Sequence, residues 1–189
     1  MRALTTWSGA VTGLLLIVMG GLVPAAIPFH GVEGWTLLPL PITLQVPALL
    51  LTAVVCGPRS AMLAAVAYLS IGLFQLPVFH DGGGLTYILD PGFGYLAGFI
   101  PGGWVAGRLA RPLGVDDPLT LAGSAVVGLL ILHLCGIANL LLGQLAHRWG
   151  DNLVPLVLSY SVVLIPQILL CCAVGVLAWV LRRILLMPS

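Results

Sequence analysis

Polar side chains interrupt the long apolar stretches of this chain at few positions, which are Gln45, His133, Asn139, Gln144, Tyr160 and Gln167. A polar group inside a membrane is costly, so each is a candidate for function. Tyr160 and Gln167 are seven residues apart and share a helix face. Neutral amide and phenol groups of this kind suit a small, mostly neutral ligand. The alternative for each amide, and for His133, is a hydrogen bond between helices.

A run of three glycines, Gly82-Gly83-Gly84, lies between two apolar segments. Glycine has no Cβ, so its backbone amide can approach a ligand closely. The helix that follows would offer further N–H groups to an anionic or carbonyl oxygen. No lysine follows with the spacing of a nucleotide-binding phosphate loop. The run is therefore a candidate ligand loop, with a flexible surface loop as the alternative.

The segment after this loop opens with a strong helix-start signal, Asp90 as N-cap and Pro91 at the first helical position. Gly92, Tyr95 and Phe99 then share one helix face, which predicts an aromatic wall of a ligand cavity. The alternative places Tyr95 in the aromatic belt at a membrane surface. The same helix carries glycines at spacings that permit close helix packing, namely Gly98, Gly102, Gly103 and Gly107.

No residue set typical of a catalytic or metal centre occurs in the sequence. There is no His-Glu-x-x-His or Gly-x-Ser-x-Gly pattern, and no spacing pairs two acids across a substrate. The four cysteines lack metal-ligand spacing, and adjacent Cys171 and Cys172 point to different helix faces. We therefore predict no enzyme activity, no metal and no cofactor.

The composition is that of a membrane protein. Hydrophobic residues make up 60% of the chain and charged residues 7%, and the mean hydropathy is +1.14. These values exclude a soluble globular domain, a disordered chain and a nucleic-acid-binding protein. At roughly 20 apolar residues per span, the chain holds about six helices and leaves no room for a nucleotide-binding domain. Any ATP-driven process would take its energy from another chain.

The apolar blocks predict an all-α polytopic protein with one transmembrane domain over residues 1–189. The first block resembles a signal peptide in composition. No small-x-small cleavage site closes it, so we predict a retained first helix. The six predicted helices cover residues 9–27, 42–56, 60–76, 91–110, 119–146 and 153–185.

The arginines give the bundle an orientation. The chain has seven arginines and no lysine. With Arg2 in the cytoplasm, five other arginines also fall on the cytoplasmic side, and only Arg148 falls outside. This is the asymmetry of the positive-inside rule. It predicts cytoplasmic termini and places the ligand candidates toward the outer side.

Several ordered motifs resemble the signatures of the BioY family, the biotin-specific S components of energy-coupling factor (ECF) transporters. The motifs lie within residues 38–110 and are Pro41-Ile42-Thr43-Leu44-Gln45, Gly57-Pro58-Arg59, Leu76-Pro77-Val78-Phe79, the glycine loop and the block from Pro91 to Phe99.

The resemblance implies a six-helix S component in a bacterial plasma membrane, with a biotin pocket on the outer side beneath the first and third outer loops. Energy would come from a separate module of one transmembrane coupling protein and two ABC ATPases. Small residues on helix one help S components to dock the coupling protein. Gly9 and Gly13 are the matching pair here.

One departure from the family concerns helix six, where relatives carry a Pro-Gly-Asp-x-x-Lys-like run. In this chain Gln167 replaces the acid of that run and Leu170 replaces the lysine. Glutamine can still hydrogen-bond a ureido group, but leucine cannot pair with the valerate carboxylate. Candidate donors for that carboxylate are the amides of the Gly82–Gly84 loop, Thr43 and Tyr87.

The leading hypothesis is therefore capture of biotin for uptake. The alternatives are an S component for another small vitamin and a structural subunit whose polar residues hold helices together. The complete set of predicted ligand-binding residues is Thr43, Gln45, Gly82, Gly83, Gly84, Tyr87, Asp90, Gly92, Tyr95, Asn139, Tyr160 and Gln167.

Overall fold

The computed structural model describes residues 2–31, 34–74, 76–79, 82–111, 117–150 and 153–185. In these ranges the chain forms helices and one β-hairpin. A 3₁₀ helix, Leu85–Leu89, stands before α4. The other elements, in chain order, are α1 (Arg2–Leu22), β1 (Pro24–Gly31), β2 (Gly34–Thr43), α2 (Gln45–Cys56), α3 (Pro58–Phe74), α4 (Phe93–Ala97), α5 (Phe99–Leu109), α6 (Pro118–Leu145), α7 (Leu153–Val162) and α8 (Leu164–Ile184).

Two of the predicted helices are each divided by a single residue. Helix 91–110 breaks at Gly98 between α4 and α5, and helix 153–185 breaks at Val163 between α7 and α8. Each break lies three residues before a proline, Pro101 or Pro166. A proline has no N–H for the carbonyl four residues earlier, so the regular hydrogen bonding is interrupted there. With each pair counted once, the described residues contain six helical units, as predicted.

The first outer loop is a β-hairpin rather than an irregular segment. Helix one was predicted to reach residue 27, but α1 ends at Leu22 and β1 begins at Pro24. The residue before a proline disfavours helical backbone, which explains the earlier end. β1 pairs antiparallel with β2, from Pro24 opposite Thr43 to Gly31 opposite Gly34. A two-stranded hairpin leaves one edge of each strand free, so its prolines need not donate hydrogen bonds.

The start of helix four also differs from the prediction. The 3₁₀ helix ends at Leu89, the backbone of the next residue, Asp90, is extended, and α4 begins only at Phe93 with Gly92 as its N-cap. The Asp90 carboxylate accepts a hydrogen bond from the Gly92 N–H at 2.7 Å. Asp90 is therefore not the N-cap that was predicted; it stabilises the turn that leads into the helix, two residues before the observed N-cap, Gly92. Helix three shows a similar shift, since it begins at Pro58 and ends at Phe74 rather than covering 60–76.

The small-residue face of α1 packs inside the bundle. A Cβ on Gly9 would lie 2.9 Å from the Cys56 Cβ, and one on Gly13 would meet the Thr52 side chain. Both glycines are buried. This packing does not support the expectation that Gly9 and Gly13 dock a separate coupling protein, because α2 and α3 occupy this face in the chain by itself.

The outer surface of the bundle is apolar over most of its helices. Leu15 is 57% exposed, Leu142 66% and Ile165 71%. Within the described residues, three helical segments are long and apolar enough to cross a membrane, Ala3–Leu22, Pro118–Leu145 and Leu153–Ile184. Exposed leucines and isoleucines on such helices are what lipid chains require of a protein surface. The chain is an integral membrane protein.

Arg182 holds the ends of three helices together. Its guanidinium donates to the Val54 carbonyl through Nε at 3.1 Å and Nη2 at 2.6 Å. Nη2 also donates to the Ala110 carbonyl at 3.1 Å. These carbonyls belong to the last turn of α2 and to the C-cap of α5, where helix geometry leaves acceptors unpaired. The cation also lies at the negative ends of two helix dipoles.

Replacing this arginine is expected to loosen the bundle. Arg182→Met keeps the aliphatic stem but removes charge-assisted hydrogen bonds worth about 1.5–3 kcal/mol each. The thermal unfolding midpoint in detergent should fall by several degrees. Arg183→Met is the matched control, because Arg183 is exposed and stacks on the Trp179 ring at 4.1 Å, a contact worth about 0.5–1 kcal/mol at such sites. Equal decreases in the unfolding midpoints of the two variants would contradict the role of Arg182 in joining the three helices.

Candidate ligand-binding site

The first group of site residues surrounds the Tyr68 hydroxyl. Gln45, the first residue of α2, is 8% exposed and donates from Nε2 to the Tyr68 Oη. The Tyr68 hydroxyl in turn donates to the Val78 carbonyl at 3.1 Å. A buried tyrosine normally finds a partner for its hydroxyl. Gln45 thus supplies a hydrogen bond between α2 and α3, and its amide oxygen is left for other contacts.

Aromatic rings complete this group, which we call the Tyr68 cluster. The Tyr68 ring stacks on Phe99 with centroids 6.1 Å apart and meets Phe79 edge-on at 5.4 Å. Tyr87 reaches the same cluster through Phe79, at 4.7 Å. Tyr68 and Phe79 are not among the predicted site residues, and Phe99, predicted to share an aromatic wall with Tyr95, packs on Tyr68 instead. A single tyrosine within the apolar α3 segment was the only available signal for Tyr68.

The glycine loop is tied to this cluster by its backbone. Gly82 exchanges two backbone hydrogen bonds with Phe79, at 2.9 and 3.1 Å, and the Gly84 N–H donates to the Gly72 carbonyl at 2.8 Å. The φ values of Gly82 and Gly84 are +119° and +95°, which favour glycine. A Cβ on Gly83 would lie 2.7 Å from the Gly72 carbonyl oxygen. The amides of Gly82 and Gly84 are therefore engaged within the chain.

A second group, which we call the Tyr95 cluster, joins α4, α6 and α7. The Tyr95 ring stacks on Tyr160 with centroids 4.8 Å apart and an interplanar angle of 19°. It also meets the His133 ring edge-on at 5.3 Å. The His133 Nε2 lies 3.3 Å from the Tyr160 carbonyl oxygen. Gly136 makes room for the Tyr95 ring, since a Cβ there would collide with it.

The other predicted residues of α4 and α6 lie beside this cluster. The Asn139 Nδ2 donates to the Pro91 carbonyl at 3.2 Å. A Cβ on Gly92 would lie 3.0 Å from the Asp90 carboxylate and 3.1 Å from the Tyr160 hydroxyl. Asp90, Gly92, Tyr95, Asn139 and Tyr160 are therefore brought together, as their candidacy for one site requires.

Several buried polar atoms have no hydrogen-bond partner among the described residues. They are the Tyr95 Oη, the His133 Nδ1, the Gln144 Oε1 and the Gln167 Oε1. A buried polar atom left unpaired costs about 1–3 kcal/mol, so it calls for a partner that the bare chain lacks. Gln167 is 9% exposed. Each of these atoms marks a position where a polar ligand can bind, and those of Tyr95 and His133 lie together in the Tyr95 cluster.

Thr43 and Gln167 belong to neither the Tyr68 cluster nor the Tyr95 cluster. Thr43 is the last residue of β2 and pairs with Pro24, at the point where the hairpin meets α2. Gln167 lies on α8, one turn beyond the break at Val163. Two cavities in the structure are lined by other residues: one by arginines at the opposite end, the other by apolar side chains of α1, α2 and α8.

The arrangement of six helical units with an outer hairpin defines a class of membrane protein. A solved structure described as the S-component for biotin from an ECF-type ABC transporter has the same fold. It aligns with a TM-score of 0.74, covers 96% of this chain and 93% of that chain, and is 19% identical in sequence. The prediction of an S-component fold is confirmed.

The family follows from the sequence. The model of the BioY family matches residues 2–186, so this chain belongs to the BioY family. A probable biotin transporter BioY from Lysinibacillus sphaericus is 36% identical over 104 residues, which are 54% of this chain and 53% of that protein. The biotin transporter BioY from Thermotoga maritima is 37% identical over 110 residues, 56% of this chain and 64% of that protein. The matched parts thus span about half to two thirds of these relatives.

Proposed function

We propose that this chain is the S component that captures biotin from the outer side of the membrane. The observation that carries the proposal is the set of buried, unpartnered polar atoms on Tyr95, His133 and Gln167 in a chain that belongs to the BioY family. The related proteins named above are biotin transporters.

The chemistry of biotin suits these groups. Its ureido ring carries two N–H donors and one carbonyl acceptor, so an amide oxygen such as that of Gln167 can accept from it. The Tyr95 hydroxyl can donate to a carbonyl. The thiophane ring is apolar and would pack against aromatic faces such as those of Tyr95 and Tyr160. A site of this composition selects a compact heterocycle with hydrogen-bonding edges.

The carboxylate of biotin needs a donor other than the lysine of the family's helix-six run, because Leu170 occupies that position here. Within the glycine loop, Gly82 and Gly84 donate their amides inside the chain, so the Gly83 amide is the donor of choice there. Thr43 and Tyr87 remain the side-chain candidates. We assign the valerate end to this region, between the hairpin and the loop.

Transport in this proposal depends on a separate ECF module that hydrolyses ATP. The small-residue face of α1 packs against α2 and α3 inside the bundle. The coupling protein would therefore meet the outward face of α1, which carries Leu4, Trp7, Val11 and Leu15, each more than half exposed. Large apolar side chains in contact with another membrane protein pack by van der Waals contact rather than close backbone approach.

Equilibrium binding of radiolabelled biotin to the purified chain tests the proposal. We expect saturable binding at one site per chain, with unlabelled biotin competing and unrelated vitamins failing to compete. Displacement by a different vitamin alone would reassign the ligand, and absence of saturable binding would refute the function. Growth of a biotin auxotroph on trace biotin, with and without the ECF module, then separates capture from uptake.

A further inference from the structure

A cavity of about 620 Å³ lies at the arginine-rich end of the bundle. It is formed where the start of α1, the start of α3 and the end of α5 meet. Arg59, Arg108 and Arg111 line it together with Trp104, and Thr5 and Thr6 close one side. The positive-inside rule places this end in the cytoplasm.

The cavity gathers three arginine side chains, and no acidic residue is among the described residues that line it. Among the residues that the structure describes, no carboxylate lies within ion-pair distance of the three guanidinium groups. The nearest acid in sequence that is described, Asp117, accepts instead from the Thr120 amide and hydroxyl, both at 3.2 Å. Like charges gathered in one cavity repel each other, so an anion would stabilise the arrangement.

The backbone adds to this field. α3 begins at Pro58 on the cavity wall and runs for 17 residues. Pro58 has no N–H and the Ala61 N–H donates to the Gly57 carbonyl at 3.2 Å, so the N–H groups of Arg59 and Ser60 are the ones without an acceptor inside the helix. The positive end of the helix dipole lies at the cavity wall. The Arg111 guanidinium packs on Gly57 in the turn between α2 and α3, so closely that a Cβ on Gly57 would collide with it. Gly57 also has a φ of +91°, so both its backbone conformation and its contact with Arg111 favour glycine at this position.

The surroundings of the cavity belong to the membrane surface rather than to open water. Trp104 is 45% exposed and Trp7 61% exposed, and tryptophans favour the level of the lipid headgroups. Leu4 and Leu109, 76% and 40% exposed, present apolar surface beside them. An anion with an attached hydrocarbon chain would satisfy both the arginines and this apolar surface.

We propose that this cavity binds the phosphate headgroup of an anionic phospholipid of the inner leaflet. The guanidinium fork matches two phosphate oxygens at once, which makes arginine the preferred partner of a phosphodiester. Basic pockets between helices on the cytoplasmic side are suited to such headgroups. With three arginines available, a lipid with two phosphates, such as cardiolipin, binds more tightly than one with a single phosphate.

Native mass spectrometry of the delipidated full chain tests this assignment. Cardiolipin, phosphatidylglycerol and phosphatidylcholine are titrated separately, and inorganic phosphate serves as the free-anion probe. We expect cardiolipin to bind more tightly than phosphatidylglycerol and phosphatidylcholine not to bind. Combined replacement of Arg59, Arg108 and Arg111 by glutamine should weaken cardiolipin binding at least about tenfold, because the variant loses the charge-assisted hydrogen bonds to the phosphates.

Arg148→Gln is the matched control, because it removes one arginine from the other end of the bundle. It should leave lipid binding unchanged. If the triple variant fails to fold, Arg108→Gln alone, at an exposed position, should still weaken binding severalfold. Unchanged binding in the arginine variants would overturn the proposal. So would competition by inorganic phosphate at equal concentration, which indicates a free-anion site, or loss of ECF-module association with lipid binding intact, which indicates a protein-docking surface.

Discussion

Gln167→Leu is expected to weaken biotin binding by about tenfold to a hundredfold, while the ligand-free protein unfolds at the same temperature or higher. The Gln167 Oε1 is buried and has no partner among the described residues. A hydrogen bond from a ligand N–H to this atom would contribute about 1–3 kcal/mol to binding. Leucine has nearly the same volume and removes an unpaired polar atom, so the empty protein loses nothing.

Gln45→Leu is the informative comparison for this variant. The Gln45 amide donates to the Tyr68 hydroxyl, so its removal leaves a fully buried tyrosine without one of its partners. We expect the unfolding midpoint of this variant to fall. The two substitutions are chemically identical and both lie in buried positions, yet one removes an interhelical hydrogen bond and the other removes an unused acceptor.

The pair of variants also separates transport from a structural role. Under the alternative of a structural subunit, Gln167 holds helices together and its replacement lowers the unfolding midpoint without affecting any ligand. Isothermal titration with biotin and a thermal unfolding scan in the same detergent measure both quantities. A Gln167→Leu protein that binds biotin normally but unfolds as early as Gln45→Leu would refute the assignment.

Much of the helical framework could be predicted from the sequence, because its signals are local. The apolar blocks located six helical units, and the spacing of Gly98, Gly102 and Gly107 correctly indicated close packing. The breaks at Gly98 and Val163 are also local in origin, since Pro101 and Pro166 each interrupt hydrogen bonding one turn earlier. A single proline three residues ahead was enough to divide each helix.

The hairpin could not be predicted in the same way. Its prolines exclude a helix, but the pairing of Phe29 with Thr36 and of Ala26 with Pro39 depends on contacts between separate stretches of chain. The alternation of apolar and polar residues that marks a half-buried strand is weak here, since Phe29, Trp35, Leu37 and Leu38 are all more than half exposed. The packing of Gly9 and Gly13 against α2 and α3 could not be predicted for a related reason. Spacing shows that a face is small, but not which neighbour covers it.

Only part of the candidate site could be predicted from the sequence, because a local pattern does not show which residues become neighbours. Polar residues such as Gln45, Asn139 and Gln167 stand out within apolar segments, and the cost of burying them made them candidates. Phe79 does not stand out, because an aromatic ring in an apolar segment fits ordinary packing as well as a binding site, and Phe99 was predicted to accompany Tyr95 rather than Tyr68. Their role in the Tyr68 cluster depends on which helices are neighbours, and only the fold supplies that.

Gly107→Ala is expected to destabilise the bundle by about 3 kcal/mol, the upper part of the range for overpacked sites. A Cβ at this position would lie 2.6 Å from the Pro58 nitrogen, 2.8 Å from the Pro58 Cα and 2.8 Å from the Ala53 carbonyl oxygen. All three atoms belong to backbone, so no side chain can rotate away. Relief requires α5 to move from the turn between α2 and α3.

Gly123→Ala is the matched control, because it makes the same change in a helix where the added methyl meets nothing within 4 Å. Alanine is the better helix former by about 1 kcal/mol, so this variant should unfold at the same temperature or slightly higher. For a chain of this size, the loss predicted for Gly107→Ala corresponds to a midpoint lower by roughly 6–12 °C, measured by thermal unfolding in detergent. Similar midpoints for the two variants would mean that α5 is free to shift, and that the close approach at Gly107 does not hold the arginine-lined end of the bundle together.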